Sequence, residues 1–236
     1  IATPHDAAVE ITSRMLLVGC RVLMEKPLGR SLEEAARLRA LESEPGRLFV
    51  GFNYRFFEGI AALIRDAHEG SFGELVSADI TLGHGGAPGM EKGWKFDPVK
   101  AGGGCLIDPG IHVLDLLHQL FPAGLEVLAG AEWSGFWKTG IEEEVHLLLR
   151  GGACIINMQV SVVRWRSTFR FELHGTEGYG IVAGRGRSYG PQTYTRGRRW
   201  GWQHAANQET SEEKVLVTDC SGSFREELRA LFGNRV

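Results

Sequence analysis

No apolar run in the 236 residues approaches the ~20 that a bilayer-spanning helix needs. Charge of one sign is not in excess either. Lysine and arginine number 26 against 29 aspartates and glutamates, a net −3, so no global field draws the chain to nucleic acid or a membrane surface. Cysteines are only four, Cys20, Cys105, Cys154 and Cys220, far apart and in no CxxC or other metal spacing. They read as small buried hydrophobes of a reducing, cytoplasmic compartment. The chain opens Ile1-Ala2-Thr3-Pro4 with neither methionine nor signal segment, which reads as a cut end. What is abundant is glycine, 32 residues, which implies many tight turns and a strand-rich part.

The first fifty residues read as the tail of an α/β unit. Ile1-Ala2-Thr3 has the look of the last residues of a buried strand, and Thr3-Pro4 is an extended dipeptide. Ala7 to Val18 places apolar residues at helical spacing and meets Gly19 at its end. Arg21 to Met24 is a short apolar run suited to a parallel strand, and Glu25-Lys26-Pro27 follows at its carboxyl end. Ser31 with Glu34 forms a capping box before a helix from Leu32 to about Leu41, and Leu48 to Val50 is another strand. That alternation predicts an α/β fold with a doubly wound parallel sheet. After Asn53-Tyr54-Arg55-Phe56 the character changes. A helix over 57–68, a strand over 75–82, an irregular glycine-rich stretch over 83–104 and a helix opening at Asp108-Pro109 lead into strands at 127–134, 145–149, 153–163, 169–174 and 179–182. This half reads as an α+β unit with a large, mostly antiparallel sheet.

Two segments carry candidate chemistry. Lys26 sits at the carboxyl end of a parallel strand, where open α/β sheets bind ligands; the alternative is a solvated loop lysine. The second segment is Gly102-Gly103-Gly104-Cys105-Leu106-Ile107-Asp108-Pro109-Gly110-Ile111-His112, with Asp115 beyond. Asp108 before Pro109 suits a helix N-cap with proline in the first turn. Asp108, His112 and Asp115 fall within roughly 60° of one helix face. In the first turn the helix dipole keeps His112 neutral, as a general base requires, and Asp108 or Asp115 is placed to fix its tautomer. Three readings compete here: an acid/base site, with the triple glycine letting backbone approach a ligand; a core histidine beside a capping aspartate; and a metal site using Asp108, His112 and Asp115. His118 points away and no further ligand motif appears, so no metal is expected.

Taken in order, Glu25-Lys26-Pro27, Asn53-Tyr54-Arg55-Phe56, Trp94-Lys95, Gly103-Gly104-x-x-x-Asp108-x-Gly110-x-His112-x-x-Asp115 and His174-Gly175-Thr176-Glu177-Gly178 resemble the glucose–fructose oxidoreductase/inositol dehydrogenase/MocA oxidoreductases. The resemblance covers nearly the whole chain and rests on the combination of motifs. It implies residues 1–53 as the C-terminal part of a Rossmann dinucleotide-binding domain, with 54–236 as a substrate-binding and oligomerisation domain whose open sheet joins a homo-oligomer. It implies NAD or NADP as cofactor and a sugar or polyol as substrate. Lys26 would lie between nicotinamide and substrate, before a proline often cis in this family. Asp108 and His112 would be the Asp-x-x-x-His pair of the inositol dehydrogenase-like branch. Thr3, Pro4, Glu25, Lys26, Asn53, Trp94 and Lys95 would line the cofactor. His5 is the nearest counterpart of a histidine the family carries close to the position of Ala8. The G-x-G-x-x-G fingerprint is missing, and Phe224 to Leu228 looks like a helix start that normally continues. The expectation is therefore a fragment that lacks the pyrophosphate cradle and binds NAD(P) poorly by itself.

The expected mechanism has His112 take a hydroxyl proton, Lys26 stabilise the alkoxide and Asp108 orient one of them. Trp94, Trp133, Trp137 and Trp165 and the loop over 83–93 are candidates for stacking on a sugar ring, against the alternative of core or interface packing. Residues 184–202 hold five arginines with Tyr189, Tyr194, Trp200 and Trp202. They suit single-stranded nucleic acid in type, yet Glu209, Glu212 and Glu213 follow closely, and a solvated hairpin or subunit contact is the alternative. A catalytically silent scaffold or anionic-ligand-binding protein of the same fold is the remaining reading.

Overall fold

The computed structural model describes residues 1–198 and 214–233. Helix α1 (His5–Leu17), strand β1 (Val22–Glu25), helix α2 (Leu32–Leu41) and strand β2 (Leu48–Gly51) form the first layer. β1 and β2 pair in parallel, with Val22 opposite Leu48 and Glu25 opposite Gly51. The backbone of Ile1 extends this pattern. Its amine donates to the Leu23 carbonyl at 2.7 Å and its carbonyl accepts from Glu25 N at 2.8 Å, the alternation of a parallel pair. Thr3 and Pro4 thereby reach the carboxyl end of β1, beside Lys26. Ser31 caps α2 by accepting from the Glu34 amide, as its capping box predicts. Ala8, Val9, Leu16, Val22, Met24 and Leu38 close a small core of their own.

A turn of 3-10 helix over Asn53–Phe56 leads to α3 (Glu58–His68). The remaining strands are β3 (Leu75–Gly83), β4 (Glu126–Trp133), β5 (Glu144–Gly151), β6 (Cys154–Ser161), β7 (Thr168–Gly175), β8 (Gly178–Ala183), β9 (Gln192–Arg198) and β10 (Lys214–Thr218). They build one sheet in the order β10-β9-β8-β7-β3-β6-β5-β4, antiparallel except for β3 beside β6. Alternation decides its two faces. Ala78, Ile80 and Leu82 on β3, Ile156, Met158 and Val160 on β6, and Phe169, Phe171 and Leu173 on β7 point into the core. There they meet Ile60 and Leu63 of α3 and Leu116 and Leu117 of α5 (Ile111–Leu120). Each such fully buried side chain contributes about 1.5–3 kcal/mol. The opposite face carries Asp79, Thr81, His146, Asn157, Gln159, Arg170 and Glu172. There Asn157 donates to Asp79 at 2.8 Å.

The short helix α4 (Pro98–Ala101) packs against α1, while α6 (Ser223–Phe232) lies against the Asn53–Phe56 turn. The mixed α/β fold with a large, mostly antiparallel sheet is the class the sequence predicts. β9 and β10 were not anticipated as strands. One element boundary is corrected: α5 begins at Ile111, not at Asp108-Pro109. The Asp108–Pro109 bond is cis, as is Lys26–Pro27, and residues 104–110 turn through bonds such as Gly110 N to Cys105 O at 2.8 Å. Asp108 is therefore not an N-cap, and its carboxylate is free for other partners.

Candidate active site

β1 ends at Glu25 and delivers Lys26, the turns before α5 deliver Asp108, and the first turn of α5 delivers His112. Asp108 accepts from Lys26 Nζ and, at 2.7 Å, from Lys95 Nζ. Lys26 and Asp108 have side chains only 11% and 12% exposed, so this is a nearly dry contact between residues 82 apart in sequence. Burial alone would raise the Asp108 carboxyl. The two ammonium groups outweigh it, Lys26 first, and hold it at about 2. Two positive charges on one negative leave a net positive field.

His112 stands in that field. It is 5% exposed, and its ring stacks on Tyr54 with centroids 3.9 Å apart and planes 6° from parallel. Phe52 meets it edge-on at 6.0 Å. Its Nδ1 is buried and has no hydrogen-bond partner among the described residues. Burial first, then the charge of Lys26, pushes its pKa from 6.5 down to about 3. The imidazole is neutral, as the sequence reading requires, but through desolvation and neighbouring cations more than through the helix dipole. Neither candidate fixes its tautomer. Asp108 is taken by the lysines. Asp115 is taken by Arg55, whose Nε donates to it at 2.8 Å and whose Nη2 donates to its second oxygen. His118 is exposed. Among the described residues no group of three or more His, Cys, Asp and Glu is placed to hold a metal ion.

Lys26, Lys95, Asp108 and His112 open on one cleft of about 910 Å³, which Glu25, Asn53, Tyr54, His84, Arg185 and Tyr189 also line. Asn53 donates to Ser223 Oγ of α6 at 3.3 Å. Thr3 Oγ1, at the carboxyl end of β1, is buried without a partner among the described residues and Pro4 starts α1, and neither residue lines the cleft. His5 and Trp94 do not reach the cleft lining. His5 Nδ1 donates to Ala101 O at 2.8 Å, and its ring meets Trp94 edge-on at 4.7 Å. The pair fastens α1 to α4 behind Lys95, so its part in the site is support. Trp133, Trp137 and Trp165 are not among the cleft residues either. Trp137 packs on Phe96 and donates from Nε1 to Val162 O at 3.0 Å, and Trp165 is 93% exposed. The triple glycine also serves the protein itself. A Cβ on Gly104 would come within 2.0 Å of Glu142 O, and the Gly104 amide donates to the Glu142 carboxylate at 2.9 Å.

Tyr54, Arg185 and Tyr189 line the cleft without a site role in the sequence reading, whereas His84, Gly85 and Gly86 bring the loop over 83–93, a candidate for meeting a sugar ring, to the cleft. Tyr54 stood inside a quoted motif whose neighbour drew the attention. Arg185 stood in the basic 184–202 segment. Its residues 184–190 form cleft wall, Gln192–Arg198 form β9, and 199–202 lie outside the described residues, as do Glu209, Glu212 and Glu213.

A small parallel layer set beside a large open sheet, with a lysine and a histidine facing a common cleft, is the mixed α/β arrangement whose class the comparisons identify. The family model described as the GFO/IDH/MocA C-terminal domain matches residues 60–180, and the chain belongs to that oxidoreductase family. It is 30% identical over 191 residues to the 1,5-anhydro-D-fructose reductase of Ensifer adhaerens, covering 75% of this chain and 54% of that protein. It is 28% identical over 206 residues to the levoglucosan dehydrogenase of Pseudarthrobacter phenanthrenivorans, covering 75% of this chain and 53% of that one. The chain thus spans about half the length of these curated relatives. Its fold is similar to that of the aldose-aldose oxidoreductase of Caulobacter crescentus. That match has a TM-score of 0.77 and 21% identity, with 97% of this chain and 66% of that one covered. It is also similar to an inositol dehydrogenase homologue of Azotobacter vinelandii solved with NAD+, at TM-score 0.74 and 22% identity, with 99% of this chain and 59% of that one covered.

Proposed function

We propose that this protein serves NAD- or NADP-dependent hydride transfer to or from a hydroxyl-bearing carbon of a sugar or polyol. The observation that carries the reading is the pairing, in one cleft, of a Lys26–Asp108–Lys95 cluster with a neutral, unpartnered, buried imidazole. Relatives named as reductases and dehydrogenases of sugars and of inositol support the substrate class. Residues 1–53 fit the carboxyl-terminal part of the dinucleotide-binding unit, and 54–236 fit the substrate unit. The small core of the first and the large core of the second support that division. The fit to a dinucleotide rests on Thr3 Oγ1, a buried hydroxyl without a partner at the carboxyl end of a parallel strand. Thr3, Pro4, Glu25, Lys26, Asn53 and Lys95 would hold the cofactor there.

When bound, the nicotinamide supplies the hydride acceptor or donor. The Lys26 ammonium, fixed by Asp108, donates to the substrate oxygen and stabilises the negative charge that grows on it. His112 accepts the hydroxyl proton in oxidation and returns one in reduction. Tyr54 holds the imidazole plane by stacking, and Asp108 is a positioning residue for both lysines. A cytoplasmic setting accords with four free thiols, and a homo-oligomer through the open face of the eight-stranded sheet completes the proposal. Among the described residues no helix is long and apolar enough to cross a membrane.

The test, made on the full-length protein that carries these residues, follows nicotinamide absorbance with NAD and NADP against a panel of sugars and polyols. Turnover on at least one substrate is expected, and Lys26→Met lowers kcat by roughly 10²–10³. No redox turnover with any pair would overturn the proposal.

A further inference from the structure

The loop joining β8 to β9 forms part of the cleft wall, and its shape is set by glycine. Gly184 and Gly186 have φ of +77° and +76°, and a Cβ on Gly184 would fall 1.9 Å from Pro191 O. Between them stands Arg185. Its guanidinium carbon lies 4.2 Å from the Tyr189 ring centroid and 4.7 Å from that of Tyr54, the same ring that stacks on His112. Arg185 Nε is buried and has no hydrogen-bond partner among the described residues. Of the three cleft carboxylates, Asp108 is engaged by two lysines and Asp219 by the amide and hydroxyl of Ser221, and Glu25, at the end of β1, makes no ion pair with Arg185. Cation–π contact with two tyrosine rings holds the guanidinium in place, and its Nη donors make no hydrogen bond among the described residues, which leaves them to a ligand. A planar fork with open donors in a partly desolvated wall is matched by a pair of oxyanion oxygens far better than by neutral hydroxyls.

We propose that Arg185 is the specificity residue of the cleft, clamping an oxyanionic substituent, carboxylate or phosphate, so that the substrate is a negatively charged sugar or polyol. The proposal rests on the hydride-transfer reading and adds a charge to its substrate. It also eases a tension in that reading. An imidazole held far below the working pH by surrounding cations is a weak base, and a bound anion offsets part of their field.

Two measurements test it. The first compares kcat/KM for neutral sugars with that for their uronate and 6-phosphate counterparts, in the wild type, Arg185→Gln and Arg185→Lys. The wild type is expected to prefer a charged substrate, and whether uronate or phosphate is favoured identifies the oxyanion. In Arg185→Gln the charged-to-neutral ratio falls roughly 10- to 150-fold, as loss of a charged hydrogen-bonding partner predicts. Arg185→Lys, which keeps the charge and loses the fork, recovers part of it. Preference for neutral sugars in the wild type, or a ratio unmoved in both variants, overturns the proposal. The second is calorimetric binding of glucuronate and glucose 6-phosphate without turnover. Binding that weakens with salt and is lost in Arg185→Gln supports the clamp even if no sugar is oxidised, in which case only the hydride-transfer reading fails. Absence of binding to both anions overturns the clamp.

Discussion

Asp66 and Asp108 are both buried carboxylates that serve two donors, and they do different things. Asp66, on α3 and 3% exposed, accepts from Tyr194 Oη at 2.5 Å and from Arg196 Nη1 at 2.7 Å. That network ties α3 to β9, and every member finds its partner inside the protein. Asp108 pairs with two cations and offsets only one of their charges, and around it the arrangement stays incomplete: among the described residues Nδ1 of His112 and Nε of Arg185 have no partner, and both side chains line one cleft. A closed polar network contributes stability and fixes a packing. An open one carries desolvation that a ligand repays. The contrast separates a structural cluster from a working one without reference to any relative.

Exchanging substitutions between the two regions gives the largest expected effects. His112→Phe keeps the stack on Tyr54 and removes an orphaned polar atom. Turnover should fall by roughly 10²–10⁴, with thermal stability equal to or above that of the wild type. Asp66→Asn should do the reverse, costing about 1–3 kcal/mol in a urea titration while kcat stands. If His112→Phe is the destabilised variant and keeps turnover, the contrast fails.

A smaller effect appears in acid. The folded pKa of His112, about 3, lies below its ordinary 6.5, so the unfolded chain binds the extra proton first. Stability from this group is complete above pH 6.5 and is lost as pH falls towards 3, at up to about 1.4 kcal/mol per pH unit. Asp108, lowered to about 2 from 3.8, adds a loss of the same sign further down. In urea titrations between pH 6.5 and 4, His112→Phe should therefore lose less stability than the wild type. Parallel slopes would contradict the burial argument.

Much of this was legible in the chain. Alternation marked β3 to β8, and Lys26, Asp108 and His112 stood out because strand-end and first-turn positions are where chemistry is presented. What was hidden depends on contacts across long sequence distance. No local pattern shows that Tyr54 would lie flat on His112, or that Arg185 would leave the basic 184–202 segment to join the cleft. Asp108-Pro109 looked like a cap because the trans, helical geometry is the common one, whereas two lysines compete for that carboxylate from other elements. Glycines 102–104 suggested room for a ligand, and the room is filled by Arg30 and Glu142. Of the tryptophans chosen for their chemistry, Trp137 is placed by packing, while Trp133 and Trp165 stand largely in solvent.

The most direct test of the central claim is the titration of His112 followed by ring-nitrogen resonances in the 15N-histidine-labelled protein, assigned by its loss in His112→Phe. A ring still neutral at pH 5, protonating only in strong acid, is the predicted result. A midpoint near 6.5 would show a solvated, ordinary histidine and contradict the account.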